Sequence, residues 1–159
     1  MGLRTARRAA ALAVAAGLLA ACGAAGGDGP PQVRVLVAEQ EVSLQPTQYC
    51  DGDTGRRYQV QPPVVGVTPS TQITVTVPAE VARHGWSLQV FDQALEQKLG
   101  DVAVPAGADT FAVSSSDVVP ATFYLVAVET SDRDRCSGLS GAWPVGFIRT
   151  TPGAPSSSG

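Results

Sequence analysis

Six residues, Gln72 to Val77, alternate polar and apolar without a break: Ile73, Val75 and Val77 lie to one side, and Gln72, Thr74 and Thr76 to the other. A period of two marks a strand that buries one face and wets the other, and a helix cannot satisfy it. The same alternation recurs at Val33, Val35 and Val37 around Arg34, at Val42 and Leu44 on a strand running towards Cys50, and at Trp86, Leu88 and Val90 around Ser87 and Gln89. Thr122 to Thr130 differs. Phe123, Leu125 and Ala127 make one apolar face and Tyr124, Val126 and Val128 the other, the composition of a strand in the middle of a sheet. Further short strands are expected around Tyr58 and Val60, in the Val-rich run ending at Val67, at Val102 to Val104 and at Thr110 to Val113. Phe91 to Leu99 fits either a strand end with a loop or a short helix, and Val81 to Gly85 a turn or one helical turn after Pro78. Trp143 to Ile148 carries Pro144 and Gly146 and is expected at a sheet edge, because proline donates nothing to a ladder.

The first eight residues hold Arg4, Arg7 and Arg8 and no acid, and an apolar run from Ala9 to Ala21 follows. This is the pattern of a secretory signal. A membrane-spanning helix needs about 20 apolar residues, so the run is too short to remain as a span. Leu19-Ala20-Ala21-Cys22-Gly23 resembles the bacterial lipobox, an aliphatic residue and two small ones before cysteine. That resemblance implies cleavage after Ala21, a diacylglycerol thioether on Cys22 and an acylated new amino terminus, as in lipoprotein precursors. Two or three chains, at about 0.8 kcal/mol per buried CH₂, would hold the protein on a bilayer almost permanently. The competing reading is an ordinary secreted protein with an idle thiol at Cys22. The expected organisation is a lipoprotein signal peptide over 1–21, a lipidated cysteine and Gly/Pro tether over 22–31, a folded domain over 32–150 and a disordered tail over 151–159. The expected address is the extracytoplasmic face of the cell membrane.

With Cys22 taken by lipid, Cys50 and Cys136 remain as an even pair in an oxidising compartment, which predicts a disulfide between them. Metal binding by the pair lacks further ligands, since the chain has one His, His84, and its one Met is the initiator. Seven to nine short strands, frequent turn signals and one disulfide predict an all-β fold, an immunoglobulin-like antiparallel β-sandwich. Cys136 follows the central strand instead of lying within it, so the disulfide is expected to tie down a loop and not to pin sheet to sheet.

Removing the signal takes three of the 11 basic residues and none of the 14 acidic ones, for a net charge of −6. Such a surface repels phosphates, which argues against nucleic acid and anionic lipid heads as partners. One Lys, no Asn and abundant Ala point to a GC-rich genome.

The order of lipobox, Gly/Pro stalk, Val-rich strand pair, Gln48-Tyr49-Cys50-Asp51 and then Thr76-Val77-Pro78-Ala79-Glu80-Val81 shortly before Trp86 resembles a group of small actinobacterial lipoproteins of unknown function, the DUF2771 type. The resemblance extends over Val33 to Ile148. It implies one exported domain and carries no catalytic residue to transfer.

Asp51, Asp53 and Gly55 open like a calcium loop, but the position of the closing Glu is Pro62, so a solvated turn is the better reading. Asp132, Arg133, Asp134 and Arg135 alternate in sign before Cys136, and the disulfide would bring them to Asp51, Asp53, Arg56 and Arg57. This charged corner is the candidate site for a ligand or partner, against the simpler reading of exposed charges in weak pairs. His84 reads as a turn tip, and Ser114 to Ser116 and Ser137 to Ser140 lack a nucleophile-elbow pattern, so no enzyme, cofactor or metal site is expected. The function expected is a protein-binding or adaptor module docking on an envelope protein, which calls for an apolar patch with a polar rim. The alternative is a small-ligand or cation-binding lipoprotein, which calls for a pocket near the charged corner. A hydrolase would need His84 in a cleft beside Ser and Asp.

Overall fold

The structure is a computed structural model that describes residues 29–130 and 134–151. The signal segment 1–21, Cys22 and the rest of the tether to Asp28, Asp132 and the tail from Pro152 lie outside the described residues. The described elements are β1 (Val33–Val37), β2 (Gln40–Leu44), β3 (Gln48–Asp51), β4 (Thr54–Arg57), β5 (Val64–Val67), β6 (Gln72–Thr76), α1 (Ala79–His84), β7 (Trp86–Phe91), β8 (Lys98–Ala103), β9 (Thr110–Ser114), β10 (Thr122–Glu129) and β11 (Ala142–Arg149). Short 3-10 turns follow β9 at Ser115–Asp117 and precede β11 at Cys136–Gly138.

The strands form two sheets. One has the order β2-β1-β6-β9, the other β4-β3-β11-β10-β7-β8, with β5 added parallel to β11. The alternating segments do what their period dictates: Val33, Val35, Val37, Ile73 and Val75 from the first sheet meet Leu88, Phe123, Leu125, Trp143, Val145 and Phe147 from the second in one buried cluster. The protein is all-β and sandwich-like, with more strands than the seven to nine expected, and the parallel β5 departs from a purely antiparallel plan.

Three local expectations change. The strand expected around Tyr58 and Val60 lies earlier, at Thr54–Arg57, because β4 is a hairpin partner of β3 and owes its form to pairing, not to an apolar face. Of the two readings of Phe91 to Leu99, the structure has the strand end with a loop: Phe91 ends β7, and the turn that follows is closed by the Asp92 carboxylate, which accepts from the amides of Glu96 at 2.9 Å and Gln97 at 3.1 Å. β8 consequently begins at Lys98, ahead of the expected Val102.

The third correction concerns β11, which is interior and not an edge, lying between β10 and the pair β3 and β5. Pro144 is tolerated there for a positional reason. β3 meets β11 at Ala142 and β5 begins at Gly146, whose amide donates to the Pro63 carbonyl on the side away from β10. Alternate residues share a side, so the ring nitrogen of Pro144 faces the gap where one neighbour has stopped and the next has not begun.

The sandwich has two ends that matter below. Pro31 leads into β1 at the near end, where its carbonyl accepts from the Trp143 indole at 2.8 Å, and β10 finishes and β11 starts there. At the far end β11 finishes, and the Arg149 guanidinium donates to the carbonyls of Ser115, Val118 at 2.7 Å and Val119 at 3.2 Å. Seven residue steps along β11, at about 3.3 Å each, separate these ends by about 23 Å.

Candidate functional site

Glu129 continues the inward face of β10, two residues past Ala127, and is buried at 6 % exposure. Among the described residues it is the one charged side chain that is buried. A carboxylate in such a place requires a partner. His84, the last residue of α1, supplies it: Nδ1 stands 2.6 Å from Glu129 Oε1 and donates to it. The backbone fixes this meeting, since Glu129 pairs with Trp86 in the β7 register and the Thr130 amide donates to the Gly85 carbonyl at 2.8 Å. Gly141 makes room on the other side. A Cβ there would stand 2.2 Å from the Trp143 ring and 2.9 Å from Glu129 Oε2.

These groups line a cleft of about 390 Å³ at the near end, bounded by Tyr49, Cys50, Gly52, His84, Glu129, Thr130 and Arg135. Tyr49 is half-buried and packs against Trp143 with ring centroids 6.1 Å apart. Burial, then the nearby charges of Glu129, Glu80 and Asp51, push its phenol up to about 12, because each penalises the phenolate.

Cys50 and Cys136 form the expected disulfide, with Cα atoms 5.8 Å apart. It joins β3 to the turn that precedes β11, both at the margin of the larger sheet, and so ties a loop down as the sequence indicated. That turn lies close on β4: a Cβ on Gly55 would be 2.9 Å from Leu139 Cδ1 and 3.2 Å from the Cys136 carbonyl. The glycine that gave Asp51 to Gly55 its calcium-loop look serves this packing.

The charged corner divides around Tyr49. Asp53 pairs with Arg135 (Oδ1 to Nε 3.2 Å), whose Nη2 also donates to the Gly52 carbonyl. Asp51 and Arg56 instead line a second hollow with Pro30, Pro31, Tyr58 and Glu80, where the chain leads into the domain. Arg57 is exposed on β4 opposite Gln48, and Asp134 is exposed beside Arg135. Among the described residues no group of three His, Cys, Asp or Glu side chains could hold a metal ion.

Sequence reasoning missed Glu129 as a site residue and placed His84 at a turn tip. The available signal was the period of β10: an acid at the fourth inward position after Phe123, Leu125 and Ala127 is a charge directed towards the core. His84 does line a cleft, and the described residues that line it with His84 include Glu129 and Thr130.

The far end carries a different feature. Leu99, Gly100 and Val102 of β8 and Val118, Val119 and Pro120 of the link that leads into β10 line a largely apolar groove of about 530 Å³, to which Asp101 and Asp117 add two carboxylates. Val119 is 92 % exposed.

Residues 27–132, well over half of the chain, match the family model described as a protein of unknown function, DUF2771. The chain belongs to the DUF2771 family. The match spans β1 to β10 and ends before Cys136 and β11, a shorter reach than the expected Val33 to Ile148. Every cleft residue but Arg135 falls within the DUF2771 match, as does the whole apolar groove. Comparison with curated proteins and with solved structures returned no match.

Proposed function

We propose that this DUF2771 protein is a lipoprotein anchored through Cys22 to the extracytoplasmic face of the cell membrane, and that it acts as an adaptor whose far-end groove receives an extended apolar segment of an envelope protein. The observation that carries this reading is the polarity of the domain: the chain leads in at Pro31 at one end, and the apolar groove opens at the other. Nine residue steps from Cys22 to Pro31 reach at most about 32 Å when fully extended. A lipid at Cys22 therefore attaches the domain by its near end, opposite the groove, and leaves the groove open to partners in the envelope.

The groove is suited to an extended segment because β8 is, among the described residues, the last strand of its sheet, and its outer edge runs along Leu99 to Val102. A strand added there would hydrogen-bond through its main chain and set alternate side chains against Leu99, Val102 and Val119. Asp101 and Asp117 favour a segment with basic flanks. The wall is preformed, since Arg149 holds the carbonyls of Val118 and Val119 and leaves the Val119 side chain outside.

The test places a photoreactive side chain at position 119 in intact cells. The expected result is one discrete adduct with an envelope protein, lost with Leu99→Asp and lost when Cys22→Ala releases the protein from the membrane fraction. An adduct insensitive to Leu99→Asp, no adduct at all, or an adduct with a second copy of the chain overturns the adaptor reading. Intact-mass measurement of the native protein decides the anchor separately: an unmodified Cys22 removes it.

A further inference from the structure

We infer that the near-end cleft is a binding site for a primary ammonium group, with Glu129 as its anionic floor and Tyr49 and Thr130 as its walls. This inference rests on neither the lipid anchor nor the far-end groove.

Glu129 satisfies one oxygen and leaves the other open. His84 takes Oε1, and among the described residues no donor reaches Oε2. Among the described residues no buried side-chain oxygen or nitrogen stands without a partner, so Oε2 retains contact with the cleft that Glu129 lines. A carboxylate oxygen that is open yet surrounded by Trp143, Tyr49 and Gly141 is poorly hydrated, and a cation replaces that missing hydration better than a neutral group does.

The choice of an organic cation over a metal ion follows from the ligand set. Glu129 and His84 are two ligands, one of them committed to the other, and no third His, Cys, Asp or Glu joins them among the described residues. An ammonium asks for less: one carboxylate oxygen, the Thr130 hydroxyl, and an aromatic face such as that of Tyr49, which attracts a cation through its ring quadrupole. A guanidinium is a weaker match, since its planar fork favours two carboxylate oxygens together and Oε1 is already taken. Arg135, on the side of the disulfide, pairs with Asp53 and so is not spent on Glu129.

The ammonium could come from a free amine or from a lysine side chain of a peptide. The two sources are separated by titrating the full chain, purified in detergent, with n-butylammonium chloride and with a short acetylated peptide carrying one lysine, following the His84 ring and Trp143 indole resonances by NMR. Saturable shifts with n-butylammonium, none with the neutral isostere n-butanol, and at least about tenfold weaker binding by Glu129→Gln are expected, the loss of a charged hydrogen bond. Tighter binding of the peptide than of n-butylammonium identifies a lysine side chain as the source, and the reverse identifies a free amine. Should Glu129→Gln not fold, the comparison of n-butylammonium with n-butanol on the unaltered protein decides alone. Shifts of equal size with the two probes, binding unchanged in a folded Glu129→Gln variant, or no saturation by either ammonium source overturns the site.

Discussion

The two ends of the sandwich close the same two sheets by opposite arrangements. At the far end polar groups are spent on one another: the buried Ser115 hydroxyl donates to the Thr68 carbonyl at 2.8 Å, the Thr71 amide donates to Ser115 Oγ at 3.1 Å, and Arg149 holds three carbonyls. What is left over there is apolar surface, at Leu99 and Val119. At the near end the apolar groups are spent, with Trp86 and Trp143 buried, and what is left over is a carboxylate beside a phenol. Each end thus presents the kind of group it could not use in closing the fold. An exposed apolar residue costs the folded state little, whereas a buried carboxylate depends on everything round it, so the near end should be much the more sensitive to change.

The largest effect should come from the disulfide, which holds β3, β4 and the turn before β11 at the near end. Closing a loop of 86 residues of sequence separation stabilises by about 4 to 5 kcal/mol in the chain-entropy model. Cys50→Ser with Cys136→Ser, or reduction of the native protein, should lower the urea midpoint by a corresponding margin. An unchanged midpoint would mean that the near end is organised without the covalent tie.

Next is Gly141→Ala. The added methyl meets the Trp143 ring at 2.2 and 2.6 Å and Glu129 Oε2 at 2.9 Å, and neither a packed indole nor a paired carboxylate moves aside cheaply. Overpacking of this kind costs about 1 to 3 kcal/mol. Equilibrium unfolding should show that loss together with a changed Trp fluorescence maximum, and wild-type stability would show that the near end is looser than its packing implies.

A smaller effect separates the ends by pH. The Tyr49 phenol is pushed up to about 12 in the folded protein, against an ordinary 10 in the unfolded chain. Between those values the folded state keeps a proton that the unfolded state has lost, so stability falls as pH rises, and the contribution is fully present only below pH 10. Urea unfolding at pH 9, 10.5 and 11.5 should show a steeper decline for the wild-type protein than for Tyr49→Phe. Parallel declines would place Tyr49 in ordinary solvent.

How much of this could be read from the residues follows the same division. Where one side of a strand is apolar, as at Ile73, Val75 and Val77 or at Trp86, Leu88 and Val90, period and burial agree because burial is what the period records. β4 was misplaced because all four of its residues are exposed, and its form comes from pairing with β3, which leaves no trace in hydropathy. β11 lies inside its sheet although Pro144 points to an edge, because its two outer neighbours leave a gap at Pro144 that no residue type records. The disulfide was legible by counting cysteines, whereas the His84 and Glu129 pair, 45 residues apart in sequence, depended on the register between β7 and β10 and on α1 ending beside it.

The smallest effect belongs to the far end, and it is informative because it is small. Val119 is 92 % exposed, so Val119→Ser removes almost no buried surface, and exposed substitutions of this sort change stability by about 0.5 kcal/mol or less. The variant should melt with the wild-type protein while losing capture at the groove, because a side chain kept outside by Arg149 acts only when something else covers it. A loss of stability comparable with that of Gly141→Ala would mean that Val119 already packs against part of its own chain. The far end would then be a closed surface like the near one, and the contrast between a tolerant end and a sensitive end would disappear.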